Sequence, residues 1–211
     1  MSEYQYPAAA VVYQEEIKKS TFIVHLAHTS TLAAAKTFIK EIQEKYSDAR
    51  HNCWAYVAGH PGGSHVYGFS DDGEPSGTAG KPILNVLTGS GVGEITAVVT
   101  RYFGGVKLGT GGLVRAYGGS VNNAMKELKT LTKIPSVLLI GDTDYSLQGA
   151  LEQLLKMNFQ VIHIDKQFAA NIKWMIHIDR RQAQQAIKAI YDLSHGMVKF
   201  TIKHSNDLES H

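Results

Sequence analysis

Glycine is spread along this chain so unevenly that the pattern limits what the first two-thirds can be. None occurs before Gly59, 17 lie between Gly59 and Gly119, and only Gly141, Gly149 and Gly196 follow. So dense a cluster means disorder, a repeat, or backbone that must approach something closely. Apolar segments run between the glycines and no period is visible, which leaves close approach. The glycines therefore mark a folded domain with a crowded, turn-rich site.

Around that cluster the chain reads as mixed elements. VVYQEEIKKSTFIVHLAHTS predicts a hairpin bending at Lys18-Lys19-Ser20. TLAAAKTFIKEIQEKY puts Leu32, Ala35, Ile39, Ile42 and Tyr46 on one helical face, with Ser30 or Thr31 as N-cap. HNCWAYVAG and SHVYGFS read as strands separated by His60-Pro61-Gly62-Gly63. Ile95 to Phe103 is the strongest buried-strand candidate. A glycine loop then leads into a helix starting near Thr110 and carrying Leu113, Tyr117, Val121, Ala124 and Leu128.

The second part is plainer. SVLLIGDTDY, Phe159 to Ile164, Ala169 to Ile178 and Met197 to Ile202 read as strands, with a bend at Asp165-Lys166-Gln167. Leu147, Ala150, Leu151, Leu154 and Leu155 share a helical face. Asp179 and Gln182 suggest a capping box for a helix through Ala183, Ala186, Ile187 and Ile190. The expected class is α+β, with residues 1–130 as an N-terminal α+β domain carrying the glycine-rich loop. Residues 131–205 form a ferredoxin-like βαββαβ domain, Lys129 to Pro135 is the linker, and residues 206–211 are a frayed tail.

Composition narrows the function classes. Net charge is only +2, and each part carries +1 (12 basic against 11 acidic residues up to 130, 9 against 8 after it). Any basic patch must be local, and from Lys81 to Ser120 four basic residues face one acid, Glu94. A single cysteine, Cys53, excludes an internal disulfide and a multi-cysteine zinc site. No signal-peptide pattern and no run of about 20 apolar residues is present, so the expected location is the cytoplasm.

Three segments carry the chemistry: HNCWAY from His51, SDDGEPSGTAGKP from Ser70, and TRYFGGVKLGTGGLVRAY from Thr100. Gly104 to Gly109 has P-loop spacing, but Thr110 stands where the lysine belongs, and Val114 replaces the third glycine of a dinucleotide fingerprint. What survives is a strand, a glycine loop and a helix start, an arrangement whose N–H groups favour an anion. Lys81, Arg101, Gly104, Gly105, Lys107, Gly109, Thr110, Gly111, Gly112 and Arg115 are the candidate nucleic-acid or anion-binding residues. Asp71, Asp72 and Glu74 could form a metal or acid/base site, but read better as an acidic turn bending at Asp72-Gly73. Cys53, with His51 two residues away, could be a nucleophile, but beside Trp54 in an apolar strand it reads as a buried hydrophobe. His51, His60 and His65 read as ordinary hydrogen-bonding side chains. The expectation is no catalytic residue, no metal and no cofactor.

Taken together, the three segments resemble the signature blocks of the YigZ/IMPACT family, strongly over residues 1 to about 130. The resemblance implies an N-terminal domain like the second domain of ribosomal small-subunit protein five, which elongation factor G also uses. It implies a C-terminal domain like the last domain of that factor. Eukaryotic IMPACT proteins regulate translation with the help of an extra N-terminal domain, which does not correspond to any part of this chain. The leading expectation is a translation-associated regulator that binds ribosome or structured RNA through the glycine-rich surface, without base specificity. A translation-related protein is the other partner class. The alternative is an enzyme or binding protein for a small phosphorylated or anionic ligand, with the loop as its cradle.

Overall fold

The computed structural model describes residues 3–61 and 67–203. The chain divides into two compact units, Met1–Lys133 and Ile134–His211. It is a mixed α/β protein with three antiparallel sheets.

The first unit is built on a sheet of β2 (Val11–Ile17), β3 (Ser20–His28), β4 (His51–Val57), β5 (Tyr67–Ser70) and β6 (Ile95–Tyr102), in spatial order β2-β3-β6-β4-β5. Of the expected strand over 64–70, Tyr67–Ser70 is a strand, and residues 64–66, His65 among them, lie outside the described ones, as do Gly62 and Gly63. Strand β6 is central and buried along nearly its whole length, because both faces of the sheet are covered. Ala97 and Val99 face α2 (Gly80–Gly89) and α3 (Thr110–Glu127), packing with Ile83, Leu87, Tyr117 and Val121. Val98 points the other way, to Ile39 and Ile42 of α1 (Leu32–Lys45), whose N-cap Thr31 accepts from the Ala34 N–H at 3.1 Å. The hairpin bends where expected, with Lys18 and Lys19 both at positive φ.

The stretch expected as linker is partly a strand. β7 (Thr130–Lys133) pairs antiparallel with β1 (Tyr4–Pro7), closing the unit's two ends into a ribbon. Sequence pattern could not show this, since TLTK is exposed throughout and carries no alternation of burial. The ribbon is held by Glu94, a buried carboxylate that accepts from Tyr4 Oη at 2.8 Å, and pairs with Lys133 Nζ and, at 2.7 Å, with His28 Nε2.

The second unit runs β8 (Ser136–Thr143), α4 (Gln148–Asn158), β9 (Val161–Phe168), β10 (Ile172–Asp179), α5 (Ala183–Leu193) and β11 (Thr201–Lys203). Its sheet order is β11-β8-β10-β9, all antiparallel. Trp174, Leu139, Leu151, Leu155 and Ile190 form its own core. Three local expectations shift. Asp165, Lys166 and Gln167 are strand residues, because β9 is an edge strand that tolerates their polar side chains, and the hairpin turns at Ala169–Asn171 instead. The capping box does not form. Asp179 accepts from the Arg181 N–H at 2.8 Å and pairs with its guanidinium, while Gln182 Oε1 accepts from the Gln160 N–H at 2.6 Å. Val198 and Phe200 are buried as expected of a strand, but the ladder holds only from Thr201.

Candidate functional site

The three sequence blocks converge. A cleft of about 450 Å³ in the first unit is lined by Arg50 and His51, by Gly73, Glu74 and Pro75, and by Arg101, Phe103, Lys107, Leu108, Gly109, Thr110 and Leu113. Each block contributes to its wall.

The acidic block acts as a scaffold more than as a turn. The Asp71 carboxylate accepts from the N–H groups of Gly77 at 2.8 Å, Ala79 at 2.9 Å and Gly80 at 2.8 Å, so it caps α2 from nine residues upstream. Burial alone would raise this carboxyl, but those three hydrogen bonds outweigh it and hold it below its ordinary value. This helix escaped the sequence reading because its first turn holds a glycine and a proline. Pro82 is tolerated there, because the N–H it lacks would have no intrahelical acceptor in the first turn. The bend does fall at Asp72-Gly73, both at positive φ, and Asp72 Oδ2 accepts from the Asn52 N–H at 2.6 Å.

Glu74 has a different role. It is buried, and its Oε1 accepts from Arg101 Nη1 at 2.6 Å and from Tyr117 Oη at 2.8 Å. Burial pushes the Tyr117 phenol well above its ordinary value, so it remains a donor. Arg101, only 7% exposed, is thus a structural cation whose guanidinium lies 5.7 Å from the rings of both Phe22 and Phe103. Its Nε is buried without a partner. Cys53 is buried, its thiol donates to the Asp71 carbonyl at 2.9 Å, and burial pushes it up to about 12. Such a thiol is no nucleophile at neutral pH. His51 Nδ1 lies 2.7 Å from the Asp72 carbonyl oxygen, which can only accept, so Nδ1–H is the donor.

The cationic side comes from the loop and helix. Gly109, at φ +71°, precedes α3 without a side-chain cap, and the first intrahelical bond runs from Leu113 N to Gly109 O. The N–H groups of Thr110, Gly111 and Gly112 therefore have no acceptor within the helix. Lys107 and Arg50 line the same cleft, and no carboxylate pairs with either among the described residues. Two glycines here serve different ends. A Cβ on Gly104 would sit 1.7 Å from the Lys19 carbonyl oxygen, so the loop lies directly against the β2–β3 turn. At Gly109 a Cβ would meet nothing within 4 Å, and only its φ demands glycine.

Of the candidate residues, Arg101, Lys107, Gly109 and Thr110 line the cleft, with Gly111 and Gly112 in the first helical turn behind them. Gly104 and Gly105 form the loop's base, and Arg115 lies one turn along α3. Lys81 stands apart on α2, its Nζ 5.8 Å from the Phe69 ring in a separate groove. Arg50 escaped the sequence reading because it precedes its block and no pattern marks it. Among the described residues, no group of three His, Cys, Asp or Glu side chains could hold a metal ion. No helix among them is long and apolar enough to cross a membrane.

Fold and site define a class: a two-unit α+β chain whose first sheet domain folds three sequence blocks, two of them glycine-rich, around one cationic cleft. A family model described as the Impact N-terminal domain matches residues 18–125. An IMPACT family member from Haemophilus influenzae is 46% identical over 196 residues, 93% of this chain and 95% of that one. The IMPACT family member YigZ of Escherichia coli is 56% identical over 154 residues, 73% of this chain and 72% of that one. A crystal structure described only as that of a hypothetical protein superposes with a TM-score of 0.71 at 44% identity, covering 97% of this chain and 99% of the other. The chain belongs to the IMPACT family.

Proposed function

We propose that this protein is a translation-associated binding protein that takes a phosphate group of ribosomal or other structured RNA into the cleft at the start of α3. The observation that carries the reading is the meeting of unpaired cations with a bare helix N-terminus. Lys107 and Arg50 stand beside the uncapped Thr110–Gly112 turn. A helix N-terminus carries roughly half a positive charge and aims N–H donors at an anion. The architecture supports the same reading. The second unit's strand order, β11-β8-β10-β9 with every neighbouring pair antiparallel, supports reading it as a ferredoxin-like split βαβ unit. By the family resemblance, the pair of domains would mimic the tandem with which elongation factor G works against ribosomal RNA. Fold alone does not fix function, so the test is made at the cleft.

The test is co-sedimentation with ribosomal subunits across a salt series, comparing the natural chain with Arg50→Ala/Lys107→Ala. Both residues are exposed, so the variant should fold. The expected result is salt-sensitive association, with a salt slope lowered by about one for each phosphate contact removed. Unchanged binding by the double variant would overturn the site. A second reading, a small phosphorylated ligand, is favoured by the cleft's size, which falls in the range of roughly 300–1,000 Å³ typical of ligand pockets.

A further inference from the structure

The cleft is two-sided in its chemistry. One set of groups is cationic: Lys107 and Arg50 in its lining, with the free N–H groups of Thr110, Gly111 and Gly112 at the α3 start. The other is apolar: Phe103, Pro75, Leu108 and Leu113. Phe103 is the unusual member, since its ring is 54% exposed although it follows directly on the buried central strand. The Arg101 guanidinium rests 5.7 Å from that ring, and Glu74 and Tyr117 brace the guanidinium in turn. The ring is therefore held in place at the cleft's edge and left open.

Resting on the anion-binding reading above, we propose that the cleft recognises a single nucleotide unit bearing a terminal phosphate, its base lying against Phe103. The phosphate of a duplex backbone cannot use both sets, because its base stays stacked inside the helix and cannot lie against Phe103. A terminal phosphate monoester can. It carries close to two negative charges and three free oxygens near neutral pH, enough acceptors for the α3 turn and a lysine together. An internal phosphodiester offers one charge and two free oxygens. Two sources present this chemistry, a free mononucleotide and the 5′-phosphorylated end of a single-stranded RNA.

The experiment is calorimetric titration of the full chain with adenosine monophosphate, adenosine, inorganic phosphate, a 5′-phosphorylated RNA oligonucleotide, its 5′-hydroxyl counterpart and a blunt RNA duplex without terminal phosphates. The expected result is that adenosine monophosphate binds at least about tenfold more tightly than either adenosine or inorganic phosphate. Phe103→Ala should weaken the nucleotide about tenfold and leave inorganic phosphate unchanged, and Phe103→Tyr should restore the nucleotide. Circular dichroism of each variant checks the fold. If the 5′-phosphorylated oligonucleotide matches the nucleotide and its 5′-hydroxyl counterpart does not, the source is an RNA end. If only the free nucleotide binds, the source is the mononucleotide. Duplex binding that depends on Arg50 and Lys107, with no competition from adenosine monophosphate, would overturn this inference and leave the proposed function standing. No binding of any phosphate-bearing probe would overturn both.

Discussion

Arg101 and Glu74 show how far one pair can change the meaning of a motif. In the sequence, Arg101 stands among cations bordering a glycine loop, and Glu74 among acids in a turn. In the fold they are 2.6 Å apart, both nearly excluded from water, with Tyr117 completing the carboxylate's contacts. Removing one member of a buried ion pair leaves the other charge uncompensated, at a cost of about 3–5 kcal/mol. Arg101→Ala should therefore lower the denaturant midpoint strongly, and Arg101→Met/Glu74→Leu should lose less than the sum of its single changes. A double-mutant cycle by chemical denaturation measures the difference, and strict additivity would mean the pair is not coupled. Loss of binding on changing Arg101 alone would consequently reflect damaged structure, which is why Arg50 and Lys107 are the better probes.

At the scale of elements, the ribbon of β1 and β7 depends on one carboxylate. Burial would raise the Glu94 carboxyl, but hydrogen bonds from Lys133, His28 and Tyr4 outweigh it and hold the group below its ordinary 4.5. A carboxyl whose pKa is lower folded than unfolded adds stability that is complete above its unfolded value. That stability is lost as pH falls from about 4.5 through the folded value. The natural chain should lose thermal stability across that acid window, and Glu94→Gln should begin less stable at neutral pH and lose less on acidification. Parallel melting curves of the two proteins between pH 6 and 3 provide the check, and curves that stay parallel would exclude Glu94 as the source. Helix α2 rests on similar long-range logic, since its N-terminal donors are met by Asp71 from outside the helix.

The whole molecule is two units, the first built around Phe22, Val99 and Tyr117 with a smaller cluster of Val98, Ile39 and Ile42, and the second around Trp174, Leu139 and Leu155. Each sheet closes within its own unit. A fragment spanning residues 134–211 should accordingly fold alone, with a cooperative thermal transition and dispersed amide resonances. A fragment that remains unfolded would show that the core around Trp174 is insufficient without the first unit.

The family and the α+β class were legible before any coordinates, because the signature blocks and the periodicity of each long element are local properties of the chain. The hairpin at Lys18-Lys19, the Thr31 cap of α1, the buried central strand and the start of α3 follow from residues within a few positions of one another. The cleft also came partly into view, through Lys107, Gly109 and Thr110. Tertiary structure alone decided what those residues face. Arg101 meets Glu74 across 27 positions and Glu94 meets Tyr4 across 90, and β1 pairs with β7 over more than 120. No local pattern encodes such pairings, because the energy that selects them arises only when folding brings the partners together and removes water from between them.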